Sequence, residues 1–156
     1  MIKSACAVMG KLRPLEGPRH VLADLLDLGI RLYVAKVFFL AGLTKIRNWD
    51  STLLLFQEEY DVPVLPPEIA AVLGTFGELV FPVLLALGLA ARLGALGLSV
   101  VNLMAVVSYW SFLQNAEAAL FQHVMWGVLL LVTLLHGPGR ISLDALICRR
   151  CGLKTP

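Results

Sequence analysis

Four stretches of this chain are dominated by apolar residues, at approximately Leu25–Ile46, Glu68–Ala91, Leu93–Phe112 and Ala119–His136. Each is close to the ~20 residues that a helix needs to cross the hydrocarbon of a bilayer. A long connection separates the first two, a tight turn at Arg92 the next two, and Leu113–Glu117 the last two. Short connections force antiparallel neighbours. The pattern therefore predicts an all-α membrane protein, an up-down-up-down bundle of four transmembrane helices. On this reading residues 1–24 form a cytoplasmic segment, 25–147 the membrane domain and 148–156 a cytoplasmic tail. No internal repeat points to an inverted-repeat transporter.

The positive charges orient the bundle. Lys3, Lys11, Arg13, Arg19, Arg92, Arg140, Arg149, Arg150 and Lys154 all fall on one side of a four-span arrangement. The other side has only Lys45 and Arg47, against Asp50, Glu58, Glu59, Asp61, Glu68 and Glu117. By the positive-inside rule both termini are expected in the cytoplasm. Within the long outer connection, Ser51 is expected to cap a short interfacial helix reaching Tyr60. Val62-Pro63 and Pro66-Pro67 then stop that helix and restart the chain as the second span. The acidic residues there read as a solvated face, because none has metal-ligand spacing.

Composition narrows the classes further. Hydrophobic residues make up 58% of the chain and charged residues 15%, against roughly 25% charged in ordinary soluble domains. A formal charge of +2 and the lack of a basic stripe interleaved with aromatics argue against nucleic acid. The first twenty residues hold no apolar run long enough for a secretory signal core. The first span is thus expected to act as an uncleaved anchor.

Against this background the ionisable residues within the spans carry the chemistry. Glu78 lies near the middle of the second span, too deep to snorkel, so it must face protein or a water-filled cavity and have a partner. The first span carries Arg31, Lys36 and Lys45. Arg31, Phe38 and Lys45 recur every seven residues and share a helical face with Gly42, whereas Lys36 lies well round the helix. Counted from the outer surface, Lys36 matches Glu78 in depth. Glu78 can therefore pair with Lys36 directly, or with Arg31 or Lys45 if the helices tilt. Asp27 can meet Arg31 locally at i, i+4, and the lysines can snorkel. The pair is either a functional polar core or a purely structural one.

The outer halves of the third and fourth spans add Asn102, Tyr109, Trp110, Gln114, Gln122, His123 and Trp126. Their tyrosine and tryptophans suit an interfacial belt. His123 can bind a quinone carbonyl, relay a proton, or hydrogen-bond a neighbouring helix. It has no carboxylate or cysteine at helical spacing to make a metal site, and no haem-ligand pair is evident. Cys6, Cys148 and Cys151 are all expected in the cytoplasm, where structural disulfides are uncommon. Cys148-Arg149-Arg150-Cys151 forms a C-x-x-C, a weak redox or metal candidate outside any thioredoxin-like unit.

Three features together resemble a known family. The first span combines Arg31 with Ala41-Gly42 and Lys45. The second places Glu78, Gly88 and Arg92 in the order E-x9-G-x3-R. The chain then leaves the last span through Gly137-Pro138-Gly139-Arg140-Ile141-Ser142-Leu143-Asp144. This is similar to the DoxX family of small four-span bacterial membrane proteins, over roughly residues 25–147. The resemblance implies that Arg31, Lys45 and Glu78 occupy the family's polar core positions; Lys36 has no counterpart. It also implies a link to redox or detoxification pathways, the namesake group resembling a subunit of thiosulfate:quinone oxidoreductase. Trp110 stands where the family often has a histidine, and His123 can substitute for it spatially.

The leading expectation is an accessory subunit of the bacterial inner membrane, acting near the quinone pool. Glu78 with Arg31 or Lys45 would form its site, and His123 and Tyr109 would stand near the outer mouth. Two alternatives are a non-enzymatic scaffold, whose ion pair sets helix register, and a small-solute or metal-ion transport component acting as an oligomer. Close packing of Gly74, Gly77, Gly94 and Gly97 leaves such a bundle little lumen. A membrane or cytoplasmic protein partner is expected. No side-chain set in the sequence performs two-electron chemistry without a cofactor, and quinone is the candidate.

Overall fold

The computed structural model describes residues 16–151, in which all regular structure is helical. Helix α1 spans Glu16–Arg47, α2 Trp49–Glu58, α3 Pro67–Leu87, α4 Ala91–Ser108, α5 Trp110–Leu113, α6 Glu117–His136 and α7 Leu143–Arg150. Three of them, α3, α4 and α6, are long and apolar enough to cross a membrane. Among the long helices, α1 packs on α3, α3 on α4, α4 on α6, and α6 back on α1, which closes a ring. Val34, Phe38, Leu85, Leu98 and Leu130 meet at its centre. Outward-facing Phe76, Leu96, Leu103, Val124 and Leu131 are exposed, an apolar jacket suited to lipid.

Several expected boundaries shift for local reasons. Helix α1 begins earlier than Leu25 and already includes Glu16. Asn48, not Ser51, caps α2, its side-chain oxygen accepting from the Ser51 amide at 3.4 Å. The third apolar stretch breaks at Tyr109 into α4 and the single turn α5. Arg92 lies inside α4 rather than in a turn. The reversal before it is made by Gly88 and Ala90, both in left-handed backbone, with φ of 65° and 45°. Pro67 starts α3 at a position where no amide partner is needed.

The Gly88 end of the ring is locked by groups far apart in sequence. Arg31 is only 1% exposed. Its guanidinium donates to the carbonyls of Leu85 (3.2 Å) and Ala86 (3.4 Å) in the last turn of α3, and to Ile141 (2.5 Å) in the loop after α6. A cation at a helix C-terminus meets both unpaired carbonyls and the negative end of the dipole. Asp144 works in the opposite sense. Its carboxylate accepts from the amides of Ala90 (2.8 Å) and Ala91 (3.0 Å), so the start of α4 is capped from a distant helix. The Asp144 amide donates to the Gly88 carbonyl at 2.9 Å. Ser142 caps α7 itself, accepting from the Ala145 amide at 3.1 Å, and Asp24 accepts from the Arg140 amide at 3.1 Å.

Gly88 is the residue that lets these parts meet. A side chain there would run into the Arg31 guanidinium and Ser142, on a backbone that already disfavours one. Gly88→Ala is expected to lower stability by about 2 kcal/mol, and Asp144→Ala by about 1 kcal/mol through the lost cap. Denaturant unfolding in detergent micelles, followed by circular dichroism, measures both.

Candidate functional site

At the opposite end of α1 the shared heptad face brings Lys45 against α3. Its ammonium donates to both carboxylate oxygens of Glu78, at 2.7 and 2.5 Å, the one ion pair among the described residues. Glu78 is 8% exposed. The close approach depends on Gly42, where a Cβ would stand 2.9 Å from the Leu79 side chain and 3.1 Å from the Glu78 Cβ. Further along α3 sits Pro82, which has no N–H to give the Glu78 carbonyl four residues before it.

Two of the three partners considered for Glu78 are thereby excluded. Lys36 matches it in depth but points outward and is exposed. Angular position round the helix decides the pairing, because Lys36 faces away from α3. Arg31 shares the right face, yet it is two heptads from Lys45, roughly 21 Å along the helix axis. It spends its donors on carbonyls. Neither does it form an ion pair with Asp27, since no such contact lies within 4.0 Å. Its Nε is a buried donor without a partner among the described residues, as are Thr75 Oγ1 and Trp126 Nε1.

The ion pair lies on the wall of a cavity of about 830 Å³ reached by all four long helices. Phe38, Phe81, Val101, Met104 and Trp126 line it, so its surface is mainly apolar. Exposed residues also border it, Leu73 and Phe76 from α3 and Leu93, Leu96 and Val100 from α4. Part of the cavity is therefore open to the surface on the α3–α4 side of the ring, the side on which a bilayer would lie.

Aromatic rings close its Lys45 end. Phe56 and Tyr60 meet edge to face at 4.9 Å, Tyr60 and Tyr109 at 5.0 Å, and Tyr109 stacks on Phe112 at 4.8 Å. The Asp61 amide donates to the Ser108 carbonyl at 3.0 Å, and Thr52 Oγ1 to that of Lys45 at 3.1 Å, which fastens the segment between α1 and α3 down. Burial above all, then Tyr109 and the carboxylates of Glu78 and Glu59, holds the Tyr60 phenol above its ordinary range. It stays neutral, with its hydroxyl proton in place. Tyr109 donates to Glu59 at 3.4 Å.

His123 also lines the cavity, edge-on to Trp126 at 5.0 Å. Its polar partner was not foreseen as such. Asn102, buried on α4, donates from Nδ2 to the His123 carbonyl at 2.9 Å and sets its Oδ1 2.9 Å from His123 Nδ1. Both residues lie at similar distances from the α4–α6 hairpin, a symmetry readable from the sequence. Trp110, at the start of α5, is exposed. Among the described residues no cluster of three or more His, Cys, Asp or Glu forms a metal site. Cys148 and Cys151 are free thiols at the end of α7, and Cys6 lies outside the described residues.

A family model described as DoxX matches residues 26–111. The chain belongs to the DoxX family. The matched region runs from α1 into α5 and so contains Arg31, Lys45, Glu78 and Gly88. With its apolar helices, this makes it a multi-pass membrane protein. A protein of Haemophilus influenzae described as uncharacterized is 28% identical over 127 residues, covering 76% of this chain and 80% of that protein. No solved structure matches the chain.

Removing one partner of a buried pair strands the other. Glu78→Gln is expected to lower stability by about 3 kcal/mol. The double variant Lys45→Met with Glu78→Leu, which removes both charges, is expected to recover most of that loss. Thermal unfolding of the purified variants in micelles gives the comparison.

Proposed function

We propose that this DoxX protein is an accessory subunit of the bacterial cytoplasmic membrane that holds a lipophilic, quinone-type ligand beside the Lys45–Glu78 pair. The observation that carries the reading is the apolar cavity, open in part on its α3–α4 side, with one ion pair in its wall. A flat ring with an alkyl tail fits that chemistry. Its tail can lie along the exposed apolar residues of α3 and α4 toward lipid, and its polar groups can meet the ammonium and the nearby phenols. A quinone so bound supplies two-electron redox chemistry. The chain's own residues bind it, orient it and exclude water, and a partner protein in the membrane or cytoplasm supplies or takes the electrons.

In this reading α1 is a fourth span, its charges made tolerable by the partners described above. Arg31 is met by carbonyls and Lys45 by Glu78, while Lys36, exposed on the outside of α1, is left to snorkel. Arg92, Arg140, Arg149 and Arg150 gather at the Gly88 end, and Asp50, Glu58, Glu59 and Asp61 at the other. That asymmetry supports cytoplasmic termini. A second reading, a scaffold in which the pair merely fixes the register of α1 against α3, is favoured by the tight contact at Gly42.

Mass spectrometry of small molecules retained by gently purified protein separates the two. A quinone or related amphiphile is expected in the wild type and strongly depleted in the Lys45→Met/Glu78→Leu variant. If the wild type carries none and the variant is equally stable, the scaffold reading stands instead.

A further inference from the structure

His123 and Asn102 form a device with a definite polarity. The His123 carbonyl can only accept, so the Asn102 group 2.9 Å from it must be the amide nitrogen. The other end of that carboxamide is then an oxygen, which also can only accept. The nitrogen facing it at 2.9 Å, His123 Nδ1, must therefore carry a proton. In the neutral ring a single proton is shared between two nitrogens, so fixing it on Nδ1 leaves Nε2 with a bare lone pair. Nε2 has no partner among the described residues, nor is it among the sealed polar atoms, and the ring stands in the cavity wall. One carboxamide, bound at both ends, thus sets which atom the imidazole offers.

We propose that Asn102 locks His123 as a hydrogen-bond acceptor toward the cavity, and that the cavity accordingly selects a lipophilic ligand bearing a hydroxyl donor, of the phenol or hydroquinone class. This rests on the reading of the cavity as a ligand site and deepens it. A hydroquinone hydroxyl donates to Nε2, whereas the carbonyl of the oxidised ring faces the lone pair and is repelled. Asn102 is a positioning residue, since it acts through the imidazole. Lys45, Glu78 and Tyr60 also line the cavity, so the share of the preference that belongs to His123 is read from its loss in the His123→Ala variant.

Two measurements test the inference. The first needs no ligand: nitrogen NMR of protein labelled with ¹⁵N-histidine, in a His20→Gln/His136→Gln background. Wild-type Asn102 is expected to give a protonated Nδ1 and an unprotonated Nε2, and Asn102→Leu a mixture of tautomers. A protonated Nε2 in the neutral ring of the Asn102 protein overturns the proposal. The second compares binding of a short-chain alkyl hydroquinone with that of its dimethyl ether under anaerobic conditions. The hydroquinone is expected to bind about tenfold more tightly, and His123→Ala to erase the preference while still binding both. Equal binding by the wild type overturns this inference alone. Binding of neither overturns the cavity reading together with it.

Discussion

A guanidinium surrounded by carbonyl oxygens determines how this molecule is put together. Arg31 is buried on α1, and in an apolar interior each of its donors must find an acceptor or impose a desolvation cost. The acceptors come from the last turn of α3 and from the loop beyond α6, so satisfying one side chain requires three separate parts of the chain to converge. Asp144 then answers the opposite need at the start of α4. Cation on carbonyls and carboxylate on amides together close one end of the ring. The other end is thereby left able to hold a cavity.

The two ends are chemically unlike although both contain charges. At the Gly88 end the charges meet backbone groups that can never titrate or move away. At the other end Lys45 and Glu78 meet each other, in a wall that borders open space. A backbone-bound charge serves architecture, and a side-chain pair beside a cavity can be rearranged by what enters. Pro82 adds to this contrast by leaving the Glu78 carbonyl without its usual helical donor.

Much of this is legible in the sequence. The apolar stretches and their turn residues announced the helices, and the seven-residue recurrence of Arg31, Phe38 and Lys45 put the right lysine on the right face. Depth counting was a poorer guide and favoured Lys36, because a helix places a side chain by angle as strictly as by height. The role of the Gly137–Asp144 segment was only half readable. Ser142 capping α7 is a local matter of three residues, whereas Asp144 capping α4 and Ile141 receiving Arg31 join residues 53 to 110 positions apart. Such pairings depend on the left-handed turn at Gly88, which no periodicity encodes. The Asn102–His123 bracket is partly readable: a histidine that hydrogen-bonds a neighbouring helix is expected from the sequence, but which residue answers it depends on how α4 and α6 turn toward each other.

The span of the Arg31 contacts also has a meaning for synthesis. The chain emerges N-terminus first, so α1 and its guanidinium exist long before Ile141 has been made. During that interval the cation lacks one of its acceptors and must be sheltered by water, headgroups or the insertion machinery. A segment made 110 residues later is thus the one that settles the first helix. In this protein the final packing of α1 waits for the loop beyond α6, and a nascent chain halted before residue 141 carries a guanidinium short of one acceptor.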